Sequence, residues 1–349
     1  MVTLIYFILI LGVIVLVHEF GHFIFAKMFG IYVYEFSIGM GPKIFGKKRK
    51  NKKDETEYCI RAIPIGGFVS MAGEEVDDDT SVPKDKKMYS KKPWQRFLVM
   101  FFGAGNNFIF ASLILLFVAL IWGAPNMDAV LSKVPVDYPA YQAGLREGDI
   151  VTELNGYKIS SSDDLAIYMQ LVDKTKPLEF EVSRNGKTYE YQVQAKEEKK
   201  DDGTSYLIGV TMGSDEVERG LLSSINYMFK KTGALFKQMF ITIKGLFTGG
   251  ISVSQMSGPV GIYSIVGSQR QAGFENILYL VALLSINVGV INLLPLPAFD
   301  GGRILFLAIE KIKGSPINSK TENIIHSIGF FLLMALMIYI TLNDILRLF

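Results

Sequence analysis

His18-Glu19-Phe20-Gly21-His22 decides how this 349-residue chain is read, because the pentad sits inside a stretch that otherwise looks like membrane. Residues 1–16 are almost wholly apolar, and no Lys or Arg precedes Lys27. A carboxylate and two imidazoles are expensive in such a helix unless they have a partner or a water-filled cavity. On a helix, His-Glu-x-x-His sets both imidazoles on one face, one turn apart, where they can share a zinc ion. The intervening Glu is then placed to take a proton from a water that the ion activates. By residue frequency alone the pentad turns up in roughly one chain in a hundred, so its intramembrane setting carries the weight. The chain has three histidines in all, and two are here. A signal peptide would want a basic start and a small-residue cleavage site, and the segment has neither, so a transmembrane helix carrying metal ligands is expected.

Half of the residues are hydrophobic, which suits a membrane core plus one small soluble domain. A net charge of +2, with no basic-aromatic interleaving, gives no reason to expect a nucleic-acid partner. A single cysteine, Cys59, excludes an intrachain disulfide and a Cys-based zinc cluster, so a zinc site must use His and carboxylate.

Three further stretches, 97–122, 277–299 and 328–342, approach the roughly 20 apolar residues that a spanning helix needs. The loop between the first two spans is rich in lysine, from Lys43 to Lys53 and again from Lys84 to Arg96. Arg303, Lys311, Lys313 and Lys320 follow the third span. The positive-inside tendency makes both loops cytosolic, with both termini and residues 125–276 outside. The acidic run Glu74, Glu75, Asp77, Asp78, Asp79 reads as a solvated loop without chemistry.

Residues 125–212 are polar, with short alternating runs at 177–182 and 188–193 and an Asn185-Gly186 hairpin turn between them. Pro139-Ala140-Tyr141-Gln142-Ala143-Gly144-Leu145-Arg146-Glu147-Gly148-Asp149-Ile150, followed by Leu154-Asn155-Gly156, resembles a PDZ domain. Leu207-Ile208-Gly209-Val210 then resembles its carboxylate-binding loop, placed late as in a circularly permuted PDZ. From Leu221 to Phe247, apolar residues recur at helical spacing among Lys230, Lys231, Lys237 and Lys244. This predicts an amphipathic helix, either lying at the outer membrane surface with its lysines snorkelling or packed on the preceding domain; the lysines favour the first.

A catalytic zinc wants three protein ligands and an open position. Asp300, in Asn292-Leu293-Leu294-Pro295-Leu296-Pro297-Ala298-Phe299-Asp300-Gly301-Gly302, is the strong intramembrane candidate for the third. His18 lies ~22 Å of helix into a span entered from outside, a depth that Asp300 reaches from the other side. Together, His-Glu-Phe-Gly-His and the distant Asn-x-x-Pro-x-Pro-x-x-Asp-Gly resemble the site-2 protease family of intramembrane zinc metalloproteases. One PDZ insertion is similar to its bacterial sigma-factor-regulating branch. Ser257-Gly258-Pro259-Val260-Gly261-Ile262 and Ile63-Pro64-Ile65-Gly66-Gly67-Phe68-Val69 also resemble family strings.

The resemblance implies His18, His22 and Asp300 as ligands of one zinc ion per chain, and Glu19 as general base. It implies Asn292 as an oxyanion or substrate-positioning amide, and Pro295 and Pro297 as the break that frees backbone before the ligand. A re-entrant β-loop with Gly39, Met40 and Gly41 at its edge would clamp unwound substrate by strand addition. The PDZ domain would filter by size or read peptide C-termini. Two departures stand out: the family's Pro in Gly-Pro-x-x-Asn-Phe is missing from Gly103-Ala104-Gly105-Asn106-Asn107-Phe108, and Phe299 replaces Leu before the Asp. Asn107 is expected to make an interhelical hydrogen bond. His326 reads as an ordinary helix-start residue.

The expected fold is therefore a polytopic α-helical membrane protein with about four transmembrane helices, an inserted extracytosolic PDZ domain (α+β) and a membrane re-entrant β-loop. Residues 1–124 form a first membrane half, 125–213 the PDZ domain, 214–275 an amphipathic interfacial region and 276–349 a second membrane half. The expected partners are transmembrane protein substrates, the bilayer of the cell's inner (cytoplasmic) membrane and peptide C-termini. A catalytically silent PDZ scaffold has no use for all four polar residues, and an ion carrier would more often show intramembrane repeats.

Overall fold

The computed structural model describes residues 1–48, 55–74, 79–200, 203–213, 216–253, 256–315 and 317–347. Chain order begins α1 (Val2–Met28), β1 (Val33–Lys48), β2 (Glu57–Met71) and α2 (Pro93–Trp122). The middle follows as β3 (Ala124–Pro125), β4 (Leu131–Lys133), α3 (Pro139–Ala143), β5 (Ile150–Leu154), β6 (Tyr157–Lys158), α4 (Ser162–Leu171), β7 (Leu178–Arg184) and β8 (Lys187–Val193). Then come β9 (Lys196–Lys200), β10 (Gly203–Leu207), β11 (Thr211–Met212), β12 (Val217–Glu218) and α5 (Leu221–Thr248). The chain closes with α6 (Pro259–Ala272), α7 (Phe274–Leu293), α8 (Asp300–Lys313) and α9 (Ser319–Leu346). Residues 1–114 with 256–349 form one compact unit and residues 115–255 another.

Among the described residues, α1, α2, α7 and residues 320–346 of α9 are long and apolar enough to cross a membrane; all fall in the first unit except residues 115–122 of α2. The expected third span is shortened: α7 stops at Leu293, because Pro295 and Pro297 cannot supply the N–H groups that a continuing helix needs. Residues 294–299 form a loop instead, and the polar end of the expected span becomes the first turn of α8. Pro93 opens α2, where a missing N–H costs nothing, and Gly314 ends α8 in the left-handed conformation. Ile10 and Ile14 of α1 pack with Val266 of α6 and with Ile277, Leu280 and Val281 of α7. The Ser257–Ile262 string is a helix cap: the buried Asp344 of α9 accepts the Gly261 N–H of α6 at 2.8 Å, where a carboxylate complements the helix N-terminus.

β1 and β2 fold back on each other as a small sheet. Residues 35–38 lie between two stretches of β2, residues 67–70 on one side and 57–60 on the other, and residues 43–48 pair with 57–61. The sheet runs beside α1. Gly66 faces Val15, and the Pro64 carbonyl approaches Gly12, whose Cβ it would meet at 3.2 Å. Gly12 is ~24 Å of helix from the end of α1 at Met28. The side chains of Ile38, Met40, Ile44, Phe45, Ile60 and Ile63 are exposed. Gly39-Met40-Gly41 is an irregular, paired part of β1 rather than an open edge: Met40 pairs with Ile63, the Arg61 guanidinium donates to the Gly41 carbonyl at 2.6 Å, and both glycines have positive φ.

Of the acidic run, Glu75, Asp77 and Asp78 fall outside the described residues. Its two ends are engaged rather than merely solvated. Glu74 accepts from Arg303 at 2.7 Å, and Asp79 accepts from the Tyr34 hydroxyl at 2.9 Å.

In the second unit, β6-β5-β7-β8 form a four-stranded sheet, β4 pairs with β11, β3 with β12, and β9 with β10. Asn155-Gly156 and Asn185-Gly186 take positive φ at both positions, the conformation that two-residue hairpins demand. Leu131, Leu145, Leu154, Leu165, Leu178, Phe180 and Val182 fill the core. Asp149, fully buried, receives both the Arg184 guanidinium (2.6 and 2.7 Å) and the Arg146 N–H (2.8 Å). That bonding raises the already high pKa of Arg184 further.

The lysines of α5 are used differently from the surface reading. Lys231 bonds Asp163 and Lys237 bonds Asp164, both at 2.7 Å, which docks α5 on α4. The predicted packed alternative therefore holds for this face of the helix. Within the expected interfacial region 214–275, α5 falls in the second unit and α6 in the first.

Candidate metal centre

α1 delivers His18 and His22 to one face, and the loop after α7 delivers Asp300 at the start of α8. The His18 Nε2, His22 Nε2 and Asp300 Oδ2 atoms are mutually 3.2 Å apart. Four ligands at ~2.0–2.1 Å around a tetrahedral ion would stand about 3.3–3.4 Å from one another, so the three atoms fit a zinc ion. The Asp300 Oδ2 is buried and receives no hydrogen bond. Such an orphan beside two ring nitrogens is satisfied by a cation. Among the described residues, these three form the group of His, Cys, Asp or Glu side chains able to hold a metal.

The neighbours set the imidazole tautomers. His22 donates its Nδ1 proton to the Val99 carbonyl of α2 at 2.8 Å, leaving Nε2 with a lone pair. Asn107, fully buried on α2, has its amide 3.5 Å from His18 Nδ1, while its Oδ1 lacks a partner. Amide orientation is an assignment that the hydrogen-bond network decides. Turning the amide so that Oδ1 accepts the His18 Nδ1 proton frees His18 Nε2 for a metal and moves the amide NH₂ to the position without a partner. The expected interhelical role of Asn107 thus has a named partner, and its backbone carbonyl accepts from Ser285 of α7 at 3.0 Å.

Small residues make room for this. A Cβ on Gly21, inside the pentad, would collide with the Phe102 carbonyl of α2, so α1 and α2 touch through backbone there. A Cβ on Gly103 would strike His22 Nε2 and come within 3.0 Å of Asp300 Oδ2. The family's missing Pro falls beside this cradle and leaves it intact.

Glu19 is aimed elsewhere than its neighbours: Oε2 accepts the backbone N–H of Val69 at 3.1 Å. Residues 67–70 pair with 35–38 on one side, and among the described residues their other edge has no ladder partner. The strand edge beside the pentad is therefore this one, without a ladder partner and lying against α1, a placement that arises from long-range register and has no local sequence signal. Asn292 is turned back on its own helix, donating to the Val288 carbonyl at 2.9 Å, so the structure does not join it to the cluster. Pro295 and Pro297 lie in the loop before Asp300. Leu207, Ile208, Gly209 and Val210 lie in the second unit, where the Ile208 carbonyl accepts from Ala140 at 2.9 Å, Tyr138 fills the space a Cβ on Gly209 would need, and β11 follows directly.

A sequence model of Peptidase family M50 matches residues 6–336. Zinc metalloprotease RasP of Oceanobacillus iheyensis is 34% identical over 431 residues, covering 100% of each chain. Regulator of sigma-W protease RasP of Bacillus subtilis is 33% identical over 424 residues, covering 99% of each. A solved PDZ domain of an SdrC-like protein from Listeria monocytogenes is 22% identical to 25% of this chain, covering 88% of its own length with a TM-score of 0.22. The family match runs from the pentad helix into the last helix, both protease relatives align along nearly their whole lengths, and the chain belongs to peptidase family M50, the site-2 protease family that its motifs resemble.

Proposed function

We propose that the protein is a zinc metalloendopeptidase that cleaves single-pass membrane proteins within or near their transmembrane segments, as in regulated intramembrane proteolysis. The observation that carries this reading is the 3.2 Å triangle that Asp300, at the start of α8, makes with His18 and His22 on α1, a helix apolar enough to span a membrane. One zinc ion there would supply Lewis acidity and make water nucleophilic near neutral pH. Glu19, between the two histidines, is the group that accepts the water proton and returns it to the leaving amine. The Asn292 amide steadies the developing oxyanion once it leaves the Val288 carbonyl. Pro295 and Pro297 keep the backbone before Asp300 out of a helix.

A substrate helix must unwind before its carbonyls can be attacked, and in lipid the freed backbone needs a partner. The ladder-free edge of residues 67–70 meets that need by strand addition, with the sheet re-entering the membrane along α1. Gly39, Met40 and Gly41 support this edge from within β1 rather than bonding the substrate strand. On this reading the Val69 N–H passes from Glu19 to a substrate carbonyl, which frees the base as the substrate docks.

Residues 125–213 act as an extracytosolic PDZ domain, filtering by size or holding peptide C-termini at 207–210. The far face of α5 rests on the membrane surface: Leu222, Phe229, Phe240 and Phe247 are exposed and fall within about 20° of one line along the helix. The lysine-rich loop is cytosolic in an inner-membrane protein. Cysteines replacing Lys47 and Lys187, after Cys59→Ser, test this orientation with an impermeant thiol reagent on intact cells. Labelling is expected at 187 alone, and labelling at 47 alone would reverse the topology.

The decisive experiment for the activity uses purified Glu19→Gln protein and a transmembrane substrate. Zinc content is expected to match the parent while cleavage falls by at least about 10²-fold. Near-parental cleavage would remove Glu19 from the chemistry.

A further inference from the structure

The loop from α7 to α8 crosses apolar surroundings in six residues, 294–299, and every N–H in it can be traced. Pro295 and Pro297 have none. Leu294 donates to Ile291 at 3.1 Å, Leu296 to Leu294 at 2.7 Å and Phe299 to Leu296 at 3.4 Å, all local bonds. Ala298 alone reaches outside the loop, donating at 2.9 Å to Nδ1 of His326 on α9. Ala298 also sits at φ 75°, a left-handed conformation that a residue with a Cβ adopts only when its surroundings impose it.

The same face of α9 closes on the loop one turn later. A Cβ on Gly329 would collide with Pro297, so the helix backbone lies against the proline. On the other side, the His326 ring packs against α8, where a Cβ on Gly302 would stand 3.3 Å from Cε1 and the Phe306 ring centroid is 5.6 Å away. Accepting at Nδ1 obliges the neutral ring to carry its proton on Nε2, which is buried without a partner. The protein thus leaves one donor unsatisfied in order to present an acceptor to Ala298, two residues before Asp300.

We infer that His326 is a positioning residue for the zinc site: its Nδ1 holds Ala298 in the left-handed conformation and thereby fixes where the Asp300 carboxylate stands. The inference rests on the reading that Asp300 binds zinc. Without the bond, the Ala298 N–H loses the one acceptor that the structure gives it. The loop then relaxes towards negative φ, and Asp300 leaves the triangle.

The test is zinc affinity of the full chain, measured by competition with a chromophoric chelator and independent of proteolysis. Asn presents its Oδ1 near the position of the His Nδ1, whereas Gln carries its amide past it. His326→Asn is therefore expected to bind zinc as the parent does, and His326→Gln about tenfold or more weakly, the usual scale for losing a ligand's outer support. Adding Ala298→Gly to His326→Gln is expected to recover part of the loss, since glycine holds positive φ without steric cost. His326→Leu should resemble Gln, and if it fails to fold the Asn and Gln pair decides. Equal affinities for the Asn and Gln variants would overturn the inference. Asp300→Ala separates the two levels: retention of zinc there overturns the metal reading itself, while loss there with full affinity in His326→Gln overturns only the role of His326.

Discussion

The Val69 N–H donates to the Glu19 carboxylate at 3.1 Å, which ties a strand edge without a ladder partner among the described residues to the residue placed between the two histidines. Strand addition along this edge would bond any extended substrate through main-chain groups, which are blind to sequence. Val69→Pro removes the donor. Cleavage of two unrelated transmembrane substrates is expected to fall in parallel, by about two- to tenfold for the loss of a bond to a substrate carbonyl worth roughly 0.5–1.5 kcal/mol, while zinc content stays unchanged. A loss confined to one substrate, or none, would place substrate elsewhere.

Gly103 has no room for a methyl group beside His22 Nε2 and Asp300 Oδ2. Gly103→Ala should lower zinc affinity by at least about tenfold, even though alanine favours helix by roughly 1 kcal/mol. Gly233→Ala on α5, where a Cβ meets nothing within 4 Å, supplies the contrast. It should raise stability by about 0.5–1 kcal/mol with zinc binding untouched, as checked by thermal unfolding and chelator competition.

Asn107 predicts a different pattern. If its Oδ1 accepts the His18 Nδ1 proton, Asn107→Asp keeps the acceptor and retains zinc, whereas Asn107→Leu loses about 10–100-fold in affinity. Equal losses in both would mean that the amide NH₂, rather than its oxygen, faces the ring.

How much of this was readable in the sequence depends on how local each signal is. His18, Glu19 and His22 belong to one helical turn, and the Asn185-Gly186 hairpin of the second unit is likewise local, so periodicity and turn chemistry revealed them. Asp300 followed from depth and from the scarcity of other intramembrane acids. The break after Leu293 was legible in Pro295 and Pro297, yet a hydropathy count ran through it to Phe299 because leucines continue. The Val69 edge was not legible, since it depends on how the two stretches of β2 arrange themselves around residues 35–38. The lysines of α5 suit lipid headgroups and the α4 aspartates equally well by spacing, so only packing separated the two. His326 looked ordinary because its partner is a backbone N–H, which carries no side-chain identity to notice.

In the second unit, the buried Asp149 carboxylate holds Arg184 and the Arg146 N–H together. Asp149→Ala leaves both unsatisfied and is expected to destabilise this unit by about 3 kcal/mol. The fold of the helical unit, and with it zinc content, should persist. Limited proteolysis of the full chain would show cleavage sites opening within residues 125–213 first. Resistance equal to the parent would mean that the ion pair contributes little.

The central claim is that His18, His22 and Asp300 together hold one zinc ion, and X-ray absorption at the zinc edge tests it most directly. Purified, zinc-loaded protein is expected to show one equivalent of four-coordinate zinc, with two imidazoles and oxygen donors at ~2.0–2.2 Å and no sulfur. Asp300→Ala should lose most of the metal. A spectrum with fewer than two imidazoles, a sulfur shell from Cys59, or undiminished zinc in Asp300→Ala would contradict the account.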